Sequence, residues 1–172
     1  MGERSGPQSS DEGCSPAAPF LERRPLLVSA CLLGVRCNHL GEASTSAAVV
    51  SLGHWHRLVA VCPETAGGLP TPRPAAELQP DGTVRTEAGV DVSNAYRRGA
   101  AQAVRLATAV GASAAVLKAR SPSCGCHEIY DGSFTRTRVP GEGVTARALR
   151  EAGVAVCSED DVEAGQEPTS KR

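Results

Sequence analysis

Residues 114–126, AAVLKARSPSCGC, join a short apolar run to a tight loop that contains two cysteines. The run Ala114–Leu117 is typical of a strand that is buried on both faces of a parallel sheet. In the loop, Pro122 fixes its own φ and keeps the residue before it out of helical conformation, and Gly125 permits a left-handed turn. The stretch therefore predicts a strand whose carboxyl end runs into a stiff loop that holds the thiol of Cys124.

Two other cysteines have the same position relative to an apolar run. Cys31 ends the run LLVSAC, and Cys62 ends the run RLVAVC. The carboxyl ends of parallel strands meet at one edge of the sheet, and ligands bind at that edge in open α/β sheets. We therefore expect the thiols of Cys31, Cys62 and Cys124 to face one site.

The rest of the chain alternates expected strands and helices. The strands are expected at Leu26–Ala30, Arg57–Val61, Ala114–Leu117 and Val154–Val156, and the helices from Thr45 or Ser46 to Leu52, at Asn94–Val110 and at Thr145–Ala152. Such alternation predicts an α/β fold, here a single domain with a Rossmann-like parallel sheet, helices on both faces and a small β-hairpin.

Two Asp-Gly pairs mark expected hairpin turns. The first joins Glu77–Leu78 to Thr83–Arg85, and the second joins Glu128–Tyr130 to Ser133–Thr135. The proline-rich segment 62–78, CPETAGGLPTPRPAAEL, predicts a loop that contains no helix. A loop of this length inside a compact domain is usually functional.

The size and charge of the chain limit its partners. With 172 residues we expect one α/β domain over residues 25–160, between tails at 1–24 and 161–172. A net charge of −1 argues against nucleic acid, because phosphate binding needs clustered Lys and Arg, and no apolar run is long enough to span a membrane. The seven cysteines, without a secretory signal, indicate a reducing, cytoplasmic compartment. The oligomeric state stays open, and the size is compatible with a monomer.

Three thiols at one sheet edge are compatible with several kinds of site. Structural zinc sites often use C-x-x-C pairs, whereas Cys124 and Cys126 are only two positions apart. Iron–sulfur clusters commonly take four cysteines, so three would leave one iron open as a Lewis acid. A thiol–disulfide exchanger would also need C-x-x-C. The spacing favours a metal or cluster site over three separate core thiols.

Four segments carry a family resemblance: VSACLLGVRCNHLG (28–41), VCPETAGGLPTPRPAAE (61–77), VLKARSPSCGCHEIYDGSF (116–134) and GEGVTARALREAGV (141–154). Together they resemble a bacterial family first described as a domain of unknown function, whose characterised members are thiouracil desulfidases. The resemblance implies a 4Fe–4S cluster bound by Cys31, Cys62 and Cys124, with one open iron that takes the sulfur of a thiocarbonyl substrate. Cys37 and Cys126 are alternative ligands, of which Cys126 is ranked first.

The resemblance also implies the reaction, in which the thiocarbonyl of a small thiolated pyrimidine such as 2-thiouracil becomes a carbonyl and sulfide is released without net redox. Water addition needs a base, and Glu64, two residues after Cys62, is the first candidate. Ser121 and Ser123 are candidates for hydrogen bonds to the substrate or the cluster, Ser121 ahead of Ser123, and the alternative is that they only close the turn around Pro122. Arg73 either contacts a ligand or pairs with a carboxylate, and we expect the pairing. Two alternatives stay open: an iron–sulfur protein of nucleoside or tRNA thio-modification, and a non-catalytic metal-binding module.

Overall fold

A computed structural model of the chain describes residues 23–166, so nearly all of the expected N-terminal tail lies outside the described residues. The strands are β1 (Pro25–Ser29), β2 (Arg57–Val61), β3 (Ala76–Leu78), β4 (Val84–Thr86), β5 (Ala114–Leu117), β6 (Glu128–Tyr130), β7 (Arg138–Pro140) and β8 (Ala155–Ser158). The helices are α1 (Ala47–Ser51), α2 (Pro63–Ala66), α3 (Ser93–Val110), α4 (Val144–Glu151) and α5 (Glu159–Glu163). None of the described helices is long and apolar enough to cross a membrane.

The centre of the fold is a parallel four-stranded sheet in the order β2-β1-β5-β8. Leu27 of β1 stands between Val59 of β2 and Ala115 of β5, and it is fully buried. The chain leaves β1 for β2 on one side and returns to β5 on the other, so the strand order reverses at β1. In α/β sheets this reversal opens a crevice between the carboxyl ends of the two strands, where ligands bind.

Helices cover both faces of this sheet, which confirms the predicted α/β architecture. On one face the small residues of α3, among them Ala103 and Ala107, pack with Leu149 of α4 against the sheet. On the other face Val49 of α1 and Val162 of α5 pack against the sheet. The contact between α3 and the sheet is close, because the small methyl groups of its alanines let the helix backbone approach the strands.

The contact between α2 and α3 is a direct contact of backbones. A Cβ atom on Gly99 would lie 1.9 Å from the carbonyl oxygen of Pro63, and one on Gly67 would lie 2.1 Å from that of Ala95. Only glycine fits at such distances. The prediction that segment 62–78 contains no helix is therefore wrong at α2, where Pro63 takes the first helical position that proline tolerates well.

Two hairpins flank the sheet, and one of them differs from its prediction. β3 and β4 pair across Asp81–Gly82 as expected. The partner of β6 is Arg138–Pro140 instead of Ser133–Thr135, because residues 131–137 form a wide loop. Glu77 shapes this loop, since its Oε2 accepts the N–H groups of Gly132 and Phe134, both at 3.0 Å.

The end of the described chain is helical. α5 spans Glu159–Glu163, so helical structure continues past residue 160, where the sequence had suggested the start of a tail. The Oγ of Ser158 accepts the N–H of Asp161, and the Asp161 carboxylate accepts the N–H of Ser158, which makes a capping box.

Candidate functional site

A cavity of about 590 Å³ lies at the carboxyl edge of the sheet. Residues that follow β1, β2 and β5 line it, together with residues of the loop between β6 and β7. The volume falls within the roughly 300–1,000 Å³ that is usual for small-molecule sites. Its place corresponds to the crevice that the reversal of strand order at β1 creates.

Four cysteine side chains line this cavity, and all four are free thiols: Cys31, Cys37, Cys62 and Cys124. Cys31 lies in a 3-10 turn directly after β1, Cys62 precedes α2 directly after β2, and Cys124 lies in the loop after β5. The structure therefore brings together the three cysteines that the sequence placed at one edge. Their role as ligands stays a prediction.

The ranking of Cys126 above Cys37 as the alternative ligand does not fit the positions of the two residues. Cys126 is buried outside the cavity, whereas Cys37 lines it. The thiol of Cys62 donates a hydrogen bond to the carbonyl oxygen of Cys37 at 3.6 Å. The segment that contains Cys37 folds back because the N–H of Ser44 bonds to the carbonyl oxygen of Cys31 at 2.9 Å, a contact that spacing alone did not indicate.

Burial dominates the titration of three cavity thiols, those of Cys31, Cys37 and Cys124. It raises the pKa of Cys31 to about 11, with a further rise from the neighbouring Cys62, and only Lys118 and a backbone hydrogen bond act in the other direction. Burial likewise raises the pKa of Cys37 to about 12 and raises the pKa of Cys124 strongly. Buried soft sulfur donors that face one cavity fit a thiophilic metal or cluster, because such a centre stabilises the thiolates that burial disfavours.

A network around Glu64 forms another part of the wall. The Nε of Arg73 donates to Oε2 of Glu64 at 2.6 Å, which confirms the expected pairing of Arg73 with a carboxylate. Arg73 also donates to the carbonyl oxygen of Cys37 at 3.0 Å. Tyr96 also lines the cavity, and burial together with the negative charge of Glu64 raises the pKa of its hydroxyl far above the usual value. Tyr96 therefore stays neutral beside Glu64.

The two candidate serines occupy different environments. Ser121 lines the cavity, and its Oγ accepts the N–H groups of Ser123 and Cys124, both at 3.1 Å. Ser123 is fully buried outside the cavity, where its hydroxyl pairs with that of Thr145 at 2.9 Å. The structure thus contradicts the predicted contact of Ser123 with a substrate, because the tight turn directs this side chain to α4.

The buried carboxylate of Glu159, which lies in α5, supports the loop that follows β5. Glu159 forms an ion pair with Lys118, which lines the cavity, and Glu159 Oε2 accepts the N–H of Ala119 at 2.6 Å. The N–H of Lys118 donates to the hydroxyl of Ser29 at 2.9 Å, and Ser29 lines the same cavity. No local sequence pattern points to Glu159, because a capping box at Ser158 predicts a helix start and not a contact with a loop 40 residues away.

Aromatic side chains line the cavity although the chain has few of them. Tyr96, Tyr130 and Phe134 are three of the five aromatic residues of the sequence, and all three line it. Phe134 and Arg136 have φ values of 59° and 64°, a region that side chains rarely adopt. Such backbone strain is found most often at functional sites. An aromatic wall beside buried thiols suits a flat, soft ligand.

Comparisons with known proteins agree on one family. The sequence model of the 2-thiouracil desulfurase family matches residues 26–161. The Bacillus subtilis (strain 168) protein YbbK, named as uncharacterised, is 39% identical over 146 residues, which cover 80% of this chain and 97% of YbbK. The solved structure of the 4Fe–4S-dependent thiouracil desulfidase TudS, a DUF523 protein, superposes with a TM-score of 0.77 at 44% identity, covering 83% of this chain and 95% of that one.

Proposed function

The chain belongs to the 2-thiouracil desulfurase family, and we propose on this premise that its cavity converts the thiocarbonyl of a thiolated pyrimidine to a carbonyl. The oxygen of water bonds to the thiocarbonyl carbon, the carbon–sulfur bond breaks, and the sulfur leaves as hydrogen sulfide with the two protons of the water. The reaction needs no oxidant and no reductant. The observation that carries the proposal is the convergence of Cys31, Cys62 and Cys124 on one cavity of small-molecule size.

These three cysteines are the proposed ligands of a 4Fe–4S cluster. Each follows a different strand, so the parallel sheet fixes their relative positions before any metal binds. Cys37 lies beside them, and we assign it to the wall of the cavity, where its carbonyl oxygen holds Arg73 and Cys62. When bound, a cluster with one open iron supplies a Lewis acid for the soft sulfur of a thione.

Glu64 is the proposed base for the attacking water. Its carboxylate is only 14% exposed and faces the cavity, and Arg73 holds it on one oxygen. We assign the neutral hydroxyl of Tyr96 the role of a second donor to this carboxylate. A carboxylate fixed in this way can take a proton from water and return one to the leaving sulfur or to the ring nitrogen.

The substrate is proposed to stack on the aromatic wall. Tyr130 and Phe134 give flat apolar faces on the side formed by the β6–β7 loop, and the hydroxyl of Ser121 lies on the side formed by the loop after β5. Thiolated pyrimidines are flat and have both apolar faces and polar edges. Their size matches the cavity better than a folded RNA would, which agrees with the near-neutral net charge of −1. A cytoplasmic location stays a prediction from the cysteine count.

The decisive experiment is turnover of 2-thiouracil by protein purified and reconstituted without oxygen. We expect iron and sulfide to be bound, the thiouracil absorbance to fall, and uracil and sulfide to form in equal amounts. Glu64→Gln should keep its iron and lose activity by on the order of 10²- to 10⁴-fold, as for removal of a general base. Glu42→Gln, an exposed carboxyl on the segment that follows Cys37, is the matched control. Iron-loaded protein without turnover would refute the proposed reaction. Full activity in Glu64→Gln would refute Glu64 as the base.

Tyr96→Phe tests the positioning of Glu64. The change removes a hydroxyl that interacts with the Glu64 carboxylate, and a hydrogen bond to a charged group is worth about 1.5–3 kcal/mol, so we expect kcat to fall by on the order of 10- to 100-fold at unchanged iron content. Because the pKa of Tyr96 is raised above its usual value of 10.0, the hydroxyl stays protonated, and the wild-type protein should lose no activity through its ionisation up to about pH 10. An alkaline decline that disappears in Tyr96→Phe would contradict this role.

A further inference from the structure

A second group of metal-ligating side chains lies outside the cavity. Cys126, His127 and Asp161 each offer one ligand atom, and these three atoms lie within 4.8 Å of one another. Cys126 and His127 follow β5 in the chain, whereas Asp161 belongs to α5. Two segments that are distant in sequence therefore present a sulfur, a nitrogen and an oxygen donor to the same point.

A small cavity of about 60 Å³ adjoins these three residues. Glu128, Asp160 and Arg120 complete most of its wall, so three carboxylates face one guanidinium. Arg120 is already paired with Asp160 at 2.9 Å. Arg138 likewise pairs with Glu128 at 3.2 Å, so Asp161 is the carboxylate of this wall that no Lys or Arg neutralises within residues 23–166. The cavity has room for an ion with a water molecule.

The carboxylate of Asp161 is oriented before any ion binds. Its Oδ2 accepts the N–H of Ser158 at 2.7 Å and the hydroxyl of Ser158 at 2.9 Å, and it lies 2.7 Å from Nε2 of His127. Within residues 23–166 no hydrogen bond reaches Oδ1 of Asp161. The capping box thus fixes the carboxylate and leaves one oxygen available as a ligand.

The hydrogen bond between His127 and Asp161 accounts for only part of this arrangement. It explains why His127 approaches Asp161, and the capping box explains Asp161 itself. Cys126, which is 3% exposed, packs in the core with Leu149 of α4, and its thiol also lies within reach of both side chains beside the small cavity.

We propose that Cys126, His127 and Asp161 bind a zinc ion. Sulfur, imidazole nitrogen and carboxylate oxygen are the ligands that Zn²⁺ takes in proteins, and three protein ligands leave a fourth position for water. The thiol of Cys126 releases its proton to solvent as its sulfur bonds the metal. In a tetrahedral zinc site the ligand atoms are about 3.3–3.6 Å apart, so closure needs a movement of about 1 Å, which the half-exposed His127 can make.

The zinc ion ties α5 to the loop that contains Cys124. This tie adds to the contact of Glu159 with Lys118 and Ala119 on the same pair of segments. The site does not depend on the desulfidase chemistry, because none of its ligands lines the larger cavity.

Elemental analysis of the intact protein tests the site. Protein purified without oxygen is dialysed against micromolar ZnCl₂, and zinc and iron are measured per chain. We expect one zinc per chain with the iron content unchanged. His127→Ala and Cys126→Ser should each weaken zinc binding by at least on the order of 100-fold, since losing a residue that only orients a ligand already costs about 10- to 100-fold. His54→Ala changes an exposed histidine in the turn before β2 and should keep the zinc.

Two outcomes would overturn the proposal. One is zinc that stays bound in His127→Ala, and the other is wild-type protein that takes up no zinc. X-ray absorption at the zinc edge adds a readout that does not depend on folding of the variants. It should show one sulfur at about 2.3 Å with nitrogen and oxygen at about 2.0–2.2 Å. A shell of sulfur alone would place the zinc on the cysteines of the larger cavity and refute the site.

Discussion

The loop after β5 has two sides with different tasks. Ser121 and Cys124 line the large cavity, whereas Ser123 and Cys126 lie outside it, Ser123 against Thr145 and Cys126 beside the proposed zinc ligands. The residues on the two sides are of the same types and are only two positions apart. Spacing along a tight loop therefore does not decide which thiols meet, because successive side chains of a turn leave it in different directions.

Replacement of each cysteine by alanine should give the largest difference between the two sides of the loop, in both activity and iron content. Cys124→Ala removes a proposed cluster ligand, and we expect activity to fall by at least on the order of 10³-fold, because a Lewis acid contributes several kcal/mol to the transition state. Iron content should fall with it. Cys126→Ala should keep both iron and turnover. Equal loss of iron in the two variants, measured by colorimetric assay, would show that the loop acts as one unit.

Gly143→Ala should disturb both sides of the loop together. A Cβ atom at Gly143 would lie 2.4 Å from the backbone carbon and oxygen of Ser123, so the loop or the start of α4 has to move. We expect a loss of about 3 kcal/mol in the free energy of unfolding, measured in urea, with lower iron content. Arg147→Ala, an exposed position of α4, is the control and should change stability by less than about 0.5 kcal/mol. A Gly143→Ala protein with unchanged stability and full iron content would show that the loop accommodates the added methyl group.

The two serines should give the smallest and most selective effects. Ser123→Ala leaves the buried hydroxyl of Thr145 without its partner, so the free energy of unfolding should fall by about 1–3 kcal/mol while kcat per bound iron stays constant. Ser121→Ala should do the opposite and lower kcat at nearly unchanged stability, since Ser121 lines the cavity. Thermal unfolding and turnover of both variants separate the two roles. A fall of kcat in Ser123→Ala alone would show that Ser123, and not Ser121, acts at the cavity.

The parts of this protein that the sequence predicted well depend on local signals. Largely apolar runs of three to five residues predicted the parallel strands, and Asp81–Gly82 predicted the first hairpin. The second hairpin was misjudged because Glu77, far away in sequence, holds the loop at 131–137 open. The short helix α2 was missed because two glycines of different segments, Gly67 and Gly99, create its packing site. Long-range contacts of this kind have no local pattern.

The sequence by itself determined that Cys31, Cys62 and Cys124 end at one edge, because each follows a strand of a parallel sheet and such strands share a direction. Only the tertiary structure decided which neighbours join them. Cys37 lines the cavity because the loop after β1 folds back, and Cys126 lies outside it because the turn directs its side chain to α5. Strand direction is set by hydrophobic burial along the chain, whereas side-chain direction in a loop is set by hydrogen bonds to distant segments.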